Sequence, residues 1–489
     1  MEHLARTGIA GLDNVLRGGL PRRRMYLIQG EPGVGKTTLA LQYLLEGVRQ
    51  GERCLYVTLA ETRDEITEVA GAHKWDLEGL DIFELSAIER LGLNDNTLFD
   101  PADVDLQEVT DALLKEVARV NPNRVVFDSL AEVRLLAQDP LRYRRQILAL
   151  KSFFVGKEAT VLLIDDSNPT SDEQVRSLVH GVIGLQRLAP EYGGERRRLH
   201  VAKLRGVPFR GGHHDYVIRE GGLMVFPRLV AAEHRGGKLQ RVLSSGIAGL
   251  DSLVGGGIDY GTASLIVGPA GSGKSTISLH YALASARNGG RSVMYCFEES
   301  VETLVTRARH LGMGIDKAMA SGRLLLEQVD PAEVSPGEFA CRVRASIDGG
   351  TDAVVIDSLN GYLSAMPQES FLTLHIHELL TYASLKGVAT FLVMAQHGLM
   401  GAGMAAPVDI SYIADTVVLL RYFEAAGSIR KAISVVKKRT GRHEDAIREL
   451  GFGDGGALVG NQLKNFQGVL TGVPSFMGEN ADLLRRKGG

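Results

Sequence analysis

Two stretches of the chain have the residue types and spacing of a phosphate-binding loop. Residues 30–37 read Gly-Glu-Pro-Gly-Val-Gly-Lys-Thr, and residues 268–275 read Gly-Pro-Ala-Gly-Ser-Gly-Lys-Ser. Both fit G-x-x-x-x-G-K-[ST], in which glycines let backbone N–H groups surround a β-phosphate. The lysine would reach the β- and γ-phosphates, and the hydroxyl of Thr37 or Ser275 would ligate Mg²⁺.

The sequence around these loops is repeated. Lys274 follows Lys36 by 238 residues, and the segment T-G-I-A-G-L-D at 7–13 returns as S-G-I-A-G-L-D at 245–251 with the same offset. Self-similarity at a fixed spacing indicates an internal duplication. We therefore expect domains at 1–228 and 245–472, a linker at 229–244 and a short tail at 473–489.

Short apolar runs and helical patterns alternate along each repeat. Met25 to Ile28 precedes the first loop, helical spacing follows it, and Cys54 to Ala60 reads as a buried strand that ends before Glu61. Alternation of strand and helix predicts an α/β fold with a mostly parallel sheet flanked by helices.

An aspartate at the end of a later apolar strand is the expected carboxylate on the Mg²⁺ side. Asp128 ends the run that begins at Arg124, and Asp165 ends a competing run. The repeat favours Asp128, because its D-S-L sequence returns at Asp357, whereas the region that matches Asp165 is uncharged.

A pair of carboxylates, Glu298 and Glu299, follows the strand beside the second loop. Aligning Glu299 on Glu61 places Glu298 opposite Ala60. Such a carboxylate could accept a proton from an attacking nucleophile, although two solvated glutamates capping the next helix are the alternative. Neighbouring side chains on an extended strand point to opposite faces, so Glu61 is not expected to replace a glutamate at position 60 unless the strand end bends or bulges.

Basic residues recur late in each repeat. Lys203 and Arg205 have the two-residue spacing that places side chains on one face of a strand, and cations return at 437–439. The earlier run at 196–198 also fits a solvated hairpin strand.

Composition excludes several classes of protein. The chain has 489 residues, 44% of them apolar and 23% charged, as in globular proteins. A net charge of −3, with no Lys or Arg at 360–371 or 397–408, disfavours nucleic-acid handling.

Three scattered cysteines predict neither a disulfide framework nor a zinc site and favour the cytoplasm. We expect no signal peptide, and the uncharged stretch 387–408 reads as a strand and a glycine-rich loop rather than a membrane span.

Taken together, these motifs resemble one family. The two phosphate loops, F-E-E at 297–299, the paired D-S-L strands, K-L-R-G at 203–206 and KKRTGRHEDAIREL at 437–450 are similar to the KaiC family. Its members are double-domain RecA-like ATPases of circadian clocks and their non-clock bacterial relatives. The resemblance implies two tandem RecA-like P-loop NTPase domains in a two-tiered homohexamer, with ATP and Mg²⁺ between neighbouring subunits. It also implies KaiB-like or signalling partners.

The resemblance assigns roles to individual residues. Phosphate contacts are implied for Gly33, Val34, Gly35, Lys36, Thr37, Thr38, Gly271, Ser272, Gly273, Lys274, Ser275 and Thr276, with Ser86 near the first nucleotide. Contacts donated across a subunit interface are implied for Lys203, Leu204, Arg205, Lys437 and Arg439. The implied catalytic carboxylates are Glu61, Glu298 and Glu299, and the implied Mg²⁺ residues are Thr37, Asp128, Ser275, Glu298 and Asp357.

Departures from the family pattern qualify these implications. Ser411 matches a phosphoacceptor, but Tyr412 replaces the adjacent threonine, so a two-site phosphorylation cycle is not implied. Leu311 replaces an aromatic residue by the second base, and the tail is short. With Ala60 in the first repeat, we expect that repeat to be mainly an ATP-held ring, while the second performs most turnover.

The leading hypothesis is therefore an ATP-hydrolysing hexamer with serine autokinase activity at Ser411. The alternatives are a RecA-like DNA-handling motor and an ATP-gated scaffold with little turnover.

Overall fold

A computed structural model describes residues 3–84, 106–137, 139–166, 172–190, 193–234, 236, 241–364, 371–396, 413–425, 427–469 and 475–476. The chain divides into two compact units, Met1–Arg228 and Leu229–Gly489. Each unit contains one phosphate-loop motif.

The first unit contains, in chain order, β1 Leu4–Ala5, α1 Ala10–Val15, β2 Leu20–Pro21, β3 Met25–Gly30, α2 Lys36–Arg49, β4 Cys54–Thr58, α3 Arg63–Ala72, β5 Leu80–Glu84, α4 Leu106–Val120, β6 Arg124–Asp128, α5 Leu130–Ala137, α6 Pro140–Phe154, β7 Thr160–Asp166, α7 Asp172–Leu178, β8 Gly181–Leu188, β9 Arg196–Leu204, β10 His213–Arg219 and β11 Gly222–Phe226. Among the described residues of this unit, the main sheet has nine strands in the order β11-β10-β9-β8-β3-β7-β6-β4-β5. Strands β8 to β5 in this order are parallel neighbours, whereas β8, β9, β10 and β11 pair antiparallel.

The second unit contains, in chain order, a 3₁₀ turn Ala231–Glu233, β12 Val242–Leu243, α8 Ala248–Leu253, β13 Ile258–Asp259, β14 Ala263–Gly268, α9 Lys274–Arg287, β15 Ser292–Cys296, α10 Val301–His310, α11 Ile315–Ala320, β16 Leu324–Gln328, α12 Pro336–Asp348, β17 Ala353–Asp357, α13 Leu359–Ser364, α14 Leu372–Leu385, β18 Ala389–Ala395, β19 Thr416–Ala425, β20 Ser428–Lys438, β21 Arg448–Gly453, β22 Gly456–Gln462, β23 Phe466–Gln467 and β24 Ser475–Phe476. In the part of this unit that the structure describes, the main sheet also has nine strands, in the equivalent order β16-β15-β17-β18-β14-β19-β20-β21-β22. The predicted α/β class with mostly parallel sheets is confirmed in both repeats.

The central strands are apolar because both faces of each sheet are covered. In β3, Tyr26 and Ile28 are buried in one hydrophobic cluster, while Met25 and Leu27 are buried in the other. Side chains of a strand alternate between faces, so a strand between two helical layers needs an unbroken apolar run. The parallel arrangement then brings the carboxyl ends of these strands, and the loops after them, to one edge of the sheet.

Part of the segment predicted as a linker packs on the second unit. Leu229 and Ala231 are buried in its core, and the Ala231 N–H donates to Glu378 Oε2 at 2.8 Å. Strand β12 pairs with β13.

The uncharged stretch from residue 387 begins with β18, and residues 397–408 lie outside the described part of the chain. None of the described helices has the length and apolarity needed to cross a membrane.

Candidate nucleotide-binding sites

The second phosphate loop joins β14 to α9 through glycines at which any other residue would be strained. Gly271 and Gly273 have φ of 72° and 104°, a backbone conformation that L side chains rarely adopt. A Cβ added to Gly273 would lie 2.0 Å from Cζ of Phe452, because this ring packs on the loop. The loop backbone is therefore held tightly against the sheet, in the position that a phosphate-binding cradle requires.

The polar groups of this loop fit a phosphate ligand. Lys274 is only 8% exposed, and its Nζ donates to the Pro269 carbonyl at 2.8 Å. Burial lowers the pKa of Lys274, although the carboxylates of Asp357 and Glu298 oppose that shift. The buried Ser272 Oγ has no hydrogen-bond partner among the described residues. A buried ammonium and an unsatisfied hydroxyl are stabilised when an anion enters the site.

One carboxylate and one hydroxyl form the metal side of the second site. Burial raises the pKa of Asp357 to about 6, and a hydrogen bond from Ser275 opposes that rise. Within the described residues, no three His, Cys, Asp or Glu side chains cluster as a complete metal site. This set suits Mg²⁺, which usually takes one or two protein ligands and completes its shell with water and substrate phosphates.

The two glutamates after β15 have different partners. Glu298 Oε1 accepts a hydrogen bond from Ser358 Oγ at 2.6 Å, whereas Glu299 forms an ion pair with Arg307. Arg307 Nη2 is buried without a partner in the described part of the chain. Arg307 therefore restrains Glu299, and Glu298 is the carboxylate that a neutral hydroxyl orients.

These groups surround one cavity of about 870 Å³. This volume lies in the usual range for small-molecule sites, about 300–1,000 Å³. The lining residues are Ala270, Gly271, Gly273, Lys274, Ser275, Thr276, Glu298, Glu299, Glu302, Thr303, Thr306, Arg307, His310, Leu311, Asp357, Ser358, Ala395, Lys431 and Phe452. The cavity is thus lined by the phosphate loop, by Ser275 and Asp357, by both glutamates and by the apolar side chains of Leu311 and Phe452.

The first repeat brings together the equivalent loop and aspartate. Thr37 Oγ1 donates to Asp128 Oδ2 at 3.0 Å, and the Tyr56 hydroxyl donates to the same oxygen at 2.5 Å. Burial raises the pKa of Asp128, while these hydrogen bonds oppose the rise. The competing Asp165 is buried and forms an ion pair with Arg134.

Glu61 lies in a different setting from either glutamate of the second repeat. Strand alternation does not apply to it, because β4 ends at Thr58 and positions 60 and 61 follow the strand. The chain turns there, and Thr58 Oγ1 donates to the Glu61 carbonyl at 2.6 Å. Burial, followed by the charges of Asp128 and Glu65, raises the pKa of Glu61. Its Oε2 is buried without a partner in the described residues.

Comparison with known proteins agrees with this geometry. Two segments, residues 5–230 and 243–464, match the family model of the KaiC ATPase. The chain belongs to the KaiC family. The "Circadian clock oscillator protein KaiC" of Picosynechococcus sp. is 28% identical over 98% of this chain and 94% of its own length. The KaiC protein of Synechococcus elongatus is 27% identical over 99% and 95%, and that of Acaryochloris marina 26% over 98% and 93%.

Membership of the KaiC family confirms the resemblance and the two tandem RecA-like domains. It also identifies the chain as a P-loop ATPase. ATP and Mg²⁺ fit the residues present, since each loop has a lysine and each metal side pairs a hydroxyl with an aspartate.

The cations expected at KaiC subunit interfaces contact their own chain here. Lys203 Nζ donates to the Arg176 carbonyl at 2.6 Å, and Arg205 Nη2 donates to the Ser177 carbonyl at 3.1 Å, both in the last turn of α7. Leu204, between them, is buried. In the second repeat, Lys437 Nζ donates to the Ala414 carbonyl at 2.7 Å, and Arg439 lies 3.7 Å from an Asp415 oxygen.

Three other residues singled out by the KaiC resemblance, Ser86, Ser411 and Tyr412, lie outside the described residues. Conversely, sequence reasoning missed Tyr56, Ser358 and Arg307. Comparing the repeats would have flagged Arg307, because the first repeat has Val69 at the equivalent offset of 238.

Proposed function

We propose that this KaiC-family ATPase assembles as a two-tiered homohexamer in which the second repeat performs most ATP hydrolysis. The observation that supports this division most directly is Glu298, which lies in the same cavity as Lys274, Ser275 and Asp357. The first repeat has Ala60 at that position. Loss of a positioned proton acceptor typically costs about 10² to 10⁴ in rate.

The residues of the second site have separate tasks in this proposal. When bound, Mg-ATP supplies the transferable γ-phosphoryl group and part of the charge neutralisation. Lys274 binds the phosphates, and Ser275 with Asp357 holds the metal. Glu298 accepts the proton of the attacking water through the carboxylate that Ser358 orients, and Arg307 keeps Glu299 neutralised beside it.

Assembly is proposed to depend on nucleotide between subunits. Lys203, Arg205, Lys437 and Arg439 lie far along the chain from their own phosphate loops, and the family resemblance assigns them to a neighbour's site. Light scattering in Mg-ATP is expected to show roughly six protomers, since contacts donated to a neighbour's site are heterologous and form a closed ring when the rotation between subunits closes. Monomers that persist in saturating Mg-ATP would contradict this assembly.

A serine autokinase activity at Ser411 is the second part of the proposal. It is supported by the family resemblance of the segment around Ser411 and by a carboxylate in the second cavity that can accept a hydroxyl proton. Phosphopeptide mapping after incubation with Mg-ATP should find the modification on Ser411. A modification that survives Ser411→Ala refutes the assignment.

Intact mass of the purified protein, measured beside phosphate release after incubation with Mg-ATP, tests the proposed function as a whole. An ATPase with autokinase activity releases phosphate and gains the mass of a phosphoryl group. Phosphate release without a change of mass would support ATPase activity without autokinase activity. If phosphate release and the mass change are both absent, the protein is a nucleotide-gated scaffold, the alternative that Ala60 in the first repeat supports.

The cellular setting is proposed from the same features. The three cysteines are free thiols, which suits a reducing cytoplasm. KaiB-like or signalling proteins are the proposed partners, and clock-like regulation is the proposed context.

A further inference from the structure

The lysines of the two phosphate loops have different neighbours although their motifs match. Lys36 Nζ donates to Asp166 Oδ1 at 2.7 Å, to the Gly30 carbonyl at 2.8 Å and to the Glu31 carbonyl at 3.0 Å. In the second repeat, Lys274 Nζ donates to the Pro269 carbonyl at 2.8 Å. Asp166 therefore places a carboxylate directly on the group that is expected to bind phosphate in the first repeat.

The strand register identifies the residue that replaces Asp166 in the second repeat. Gly30, which ends β3, pairs with Asp166 of β7, and Gly268, which ends β14, pairs with Ala395 of β18. Ala395 also lines the second cavity. The same register position thus has a negative charge in one site and a methyl group in the other.

The contacts of Lys36 define what a nucleotide has to displace. A lysine ammonium has three N–H donors, and three protein oxygens accept from Lys36. Two of them are backbone carbonyls of the loop itself, so the carboxylate of Asp166 is the ligand that can leave by side-chain rotation. The Asp166 side chain is 44% exposed and can turn into water.

A fixed negative charge at this point acts unequally on nucleotides. The loop lysine is expected to contact the β- and γ-phosphates, so a triphosphate brings one more charged group than a diphosphate to the ammonium that Asp166 also contacts. Like charges in close proximity repel, and the repulsion is screened but not removed in a partly exposed site. Arg187 lies near this loop, but its guanidinium pairs with Glu195 at 3.4 Å.

We propose that Asp166 is a specificity-determining residue that makes the first site favour nucleoside diphosphate over triphosphate, relative to the second site. The proposal rests on the proposed function of both loops as nucleotide sites. Because Asp166 can rotate away, the carboxylate biases the site rather than blocking it, by about tenfold in relative affinity. A first tier of this kind would keep its nucleotide as ADP more readily than as ATP, which changes the expectation of an ATP-held ring.

The test compares binding of mant-ADP and the non-hydrolysable mant-AMPPNP by fluorescence polarisation. The full-length chain is used with Lys274→Ala, so that the first site is observed, and with Lys36→Ala as the reciprocal background. Asp166→Asn removes the charge and keeps the shape, and Asp166→Ala installs the residue found at the equivalent register.

In the Lys274→Ala background, both substitutions should lower the ratio Kd(mant-AMPPNP)/Kd(mant-ADP) about tenfold, chiefly by tightening triphosphate binding. Ala395→Asp in the Lys36→Ala background should raise the same ratio. A ratio that stays within about twofold in the Asp166 variants overturns the selectivity and leaves the nucleotide site intact. Absence of Lys36-dependent binding of either probe overturns the first-site function together with the inference.

Discussion

Replacement of His280 by glutamine is expected to remove part of the acid sensitivity of the second unit. His280 lies in α9, is 2% exposed, and its Nε2 accepts a hydrogen bond from the Ala457 N–H at 3.0 Å. Burial, and to a lesser degree the charge of Arg287, lowers the pKa of His280 from 6.5 to about 4. Between these values the unfolded chain binds more protons than the folded unit, so the free energy of unfolding falls as pH falls.

The shift sets the magnitude of the effect. The pKa of His280 differs by about 2.5 units between the unfolded and the folded state, and this difference lowers the free energy of unfolding by about 3 kcal/mol once the pH has fallen below both values. About 2 kcal/mol of this loss accumulates between pH 7.5 and pH 5, because the unfolded histidine is almost fully protonated at pH 5 while the folded one is mostly neutral.

The first repeat supplies the matched residue for this experiment. Gln42 lies 238 residues before His280, on the equivalent helix α2, and its Oε1 accepts a hydrogen bond from the Leu223 N–H at 2.8 Å. A glutamine at position 280 can therefore accept from Ala457 without gaining a proton in acid.

Urea unfolding of the full-length chain without nucleotide, at pH 7.5 and pH 5, measures the difference. Circular dichroism follows both units, and fluorescence of Trp75 identifies the transition of the first unit. Between pH 7.5 and pH 5, the free energy of unfolding of the second unit should fall by about 2 kcal/mol less in His280→Gln than in the unmodified chain. An equal loss in both proteins would show that His280 is not the source of the acid sensitivity.

Two further substitutions test the packing that positions the sites. Arg124→Leu should destabilise the first unit by about 3–5 kcal/mol, because the fully buried guanidinium donates to Glu52 Oε2 at 2.5 Å and to two backbone carbonyls; an unchanged urea midpoint by Trp75 fluorescence would contradict this. Gly273→Ala should destabilise the second unit by about 2 kcal/mol, since the new Cβ meets Phe452 at a positive φ; circular dichroism with an unshifted second transition would refute it.

Much of the fold could be predicted from the sequence because two kinds of evidence agreed. The phosphate loops require particular residue types at fixed spacing, and the buried parallel strands require apolar runs. The duplication then allowed each repeat to correct the interpretation of the other. The choice of Asp128 over Asp165 is an example, and the structure places Asp128 beside Thr37 and Asp165 beside Arg134.

The contacts that distinguish the two sites could not be predicted from motifs. Asp166 meets Lys36 because the ends of separate elements converge at one edge of the sheet, whereas Arg307, in the last turn of α10, pairs with Glu299 just before that helix. Neither pairing follows from spacing along the chain. The setting of Glu61 could not be predicted for a related reason, since the chain has already turned after Thr58 and strand alternation no longer applies there.

Phosphate release by Glu298→Gln tests the central claim most directly. Glutamine keeps the shape and a hydrogen-bond acceptor for Ser358 but cannot take a proton. The claim predicts that release falls about 10²-fold while light scattering still shows hexamers, and that the matched Glu61→Gln variant has little effect. Near-normal release by Glu298→Gln that disappears when Glu61→Gln is added would contradict it, because the first repeat would then be the active one.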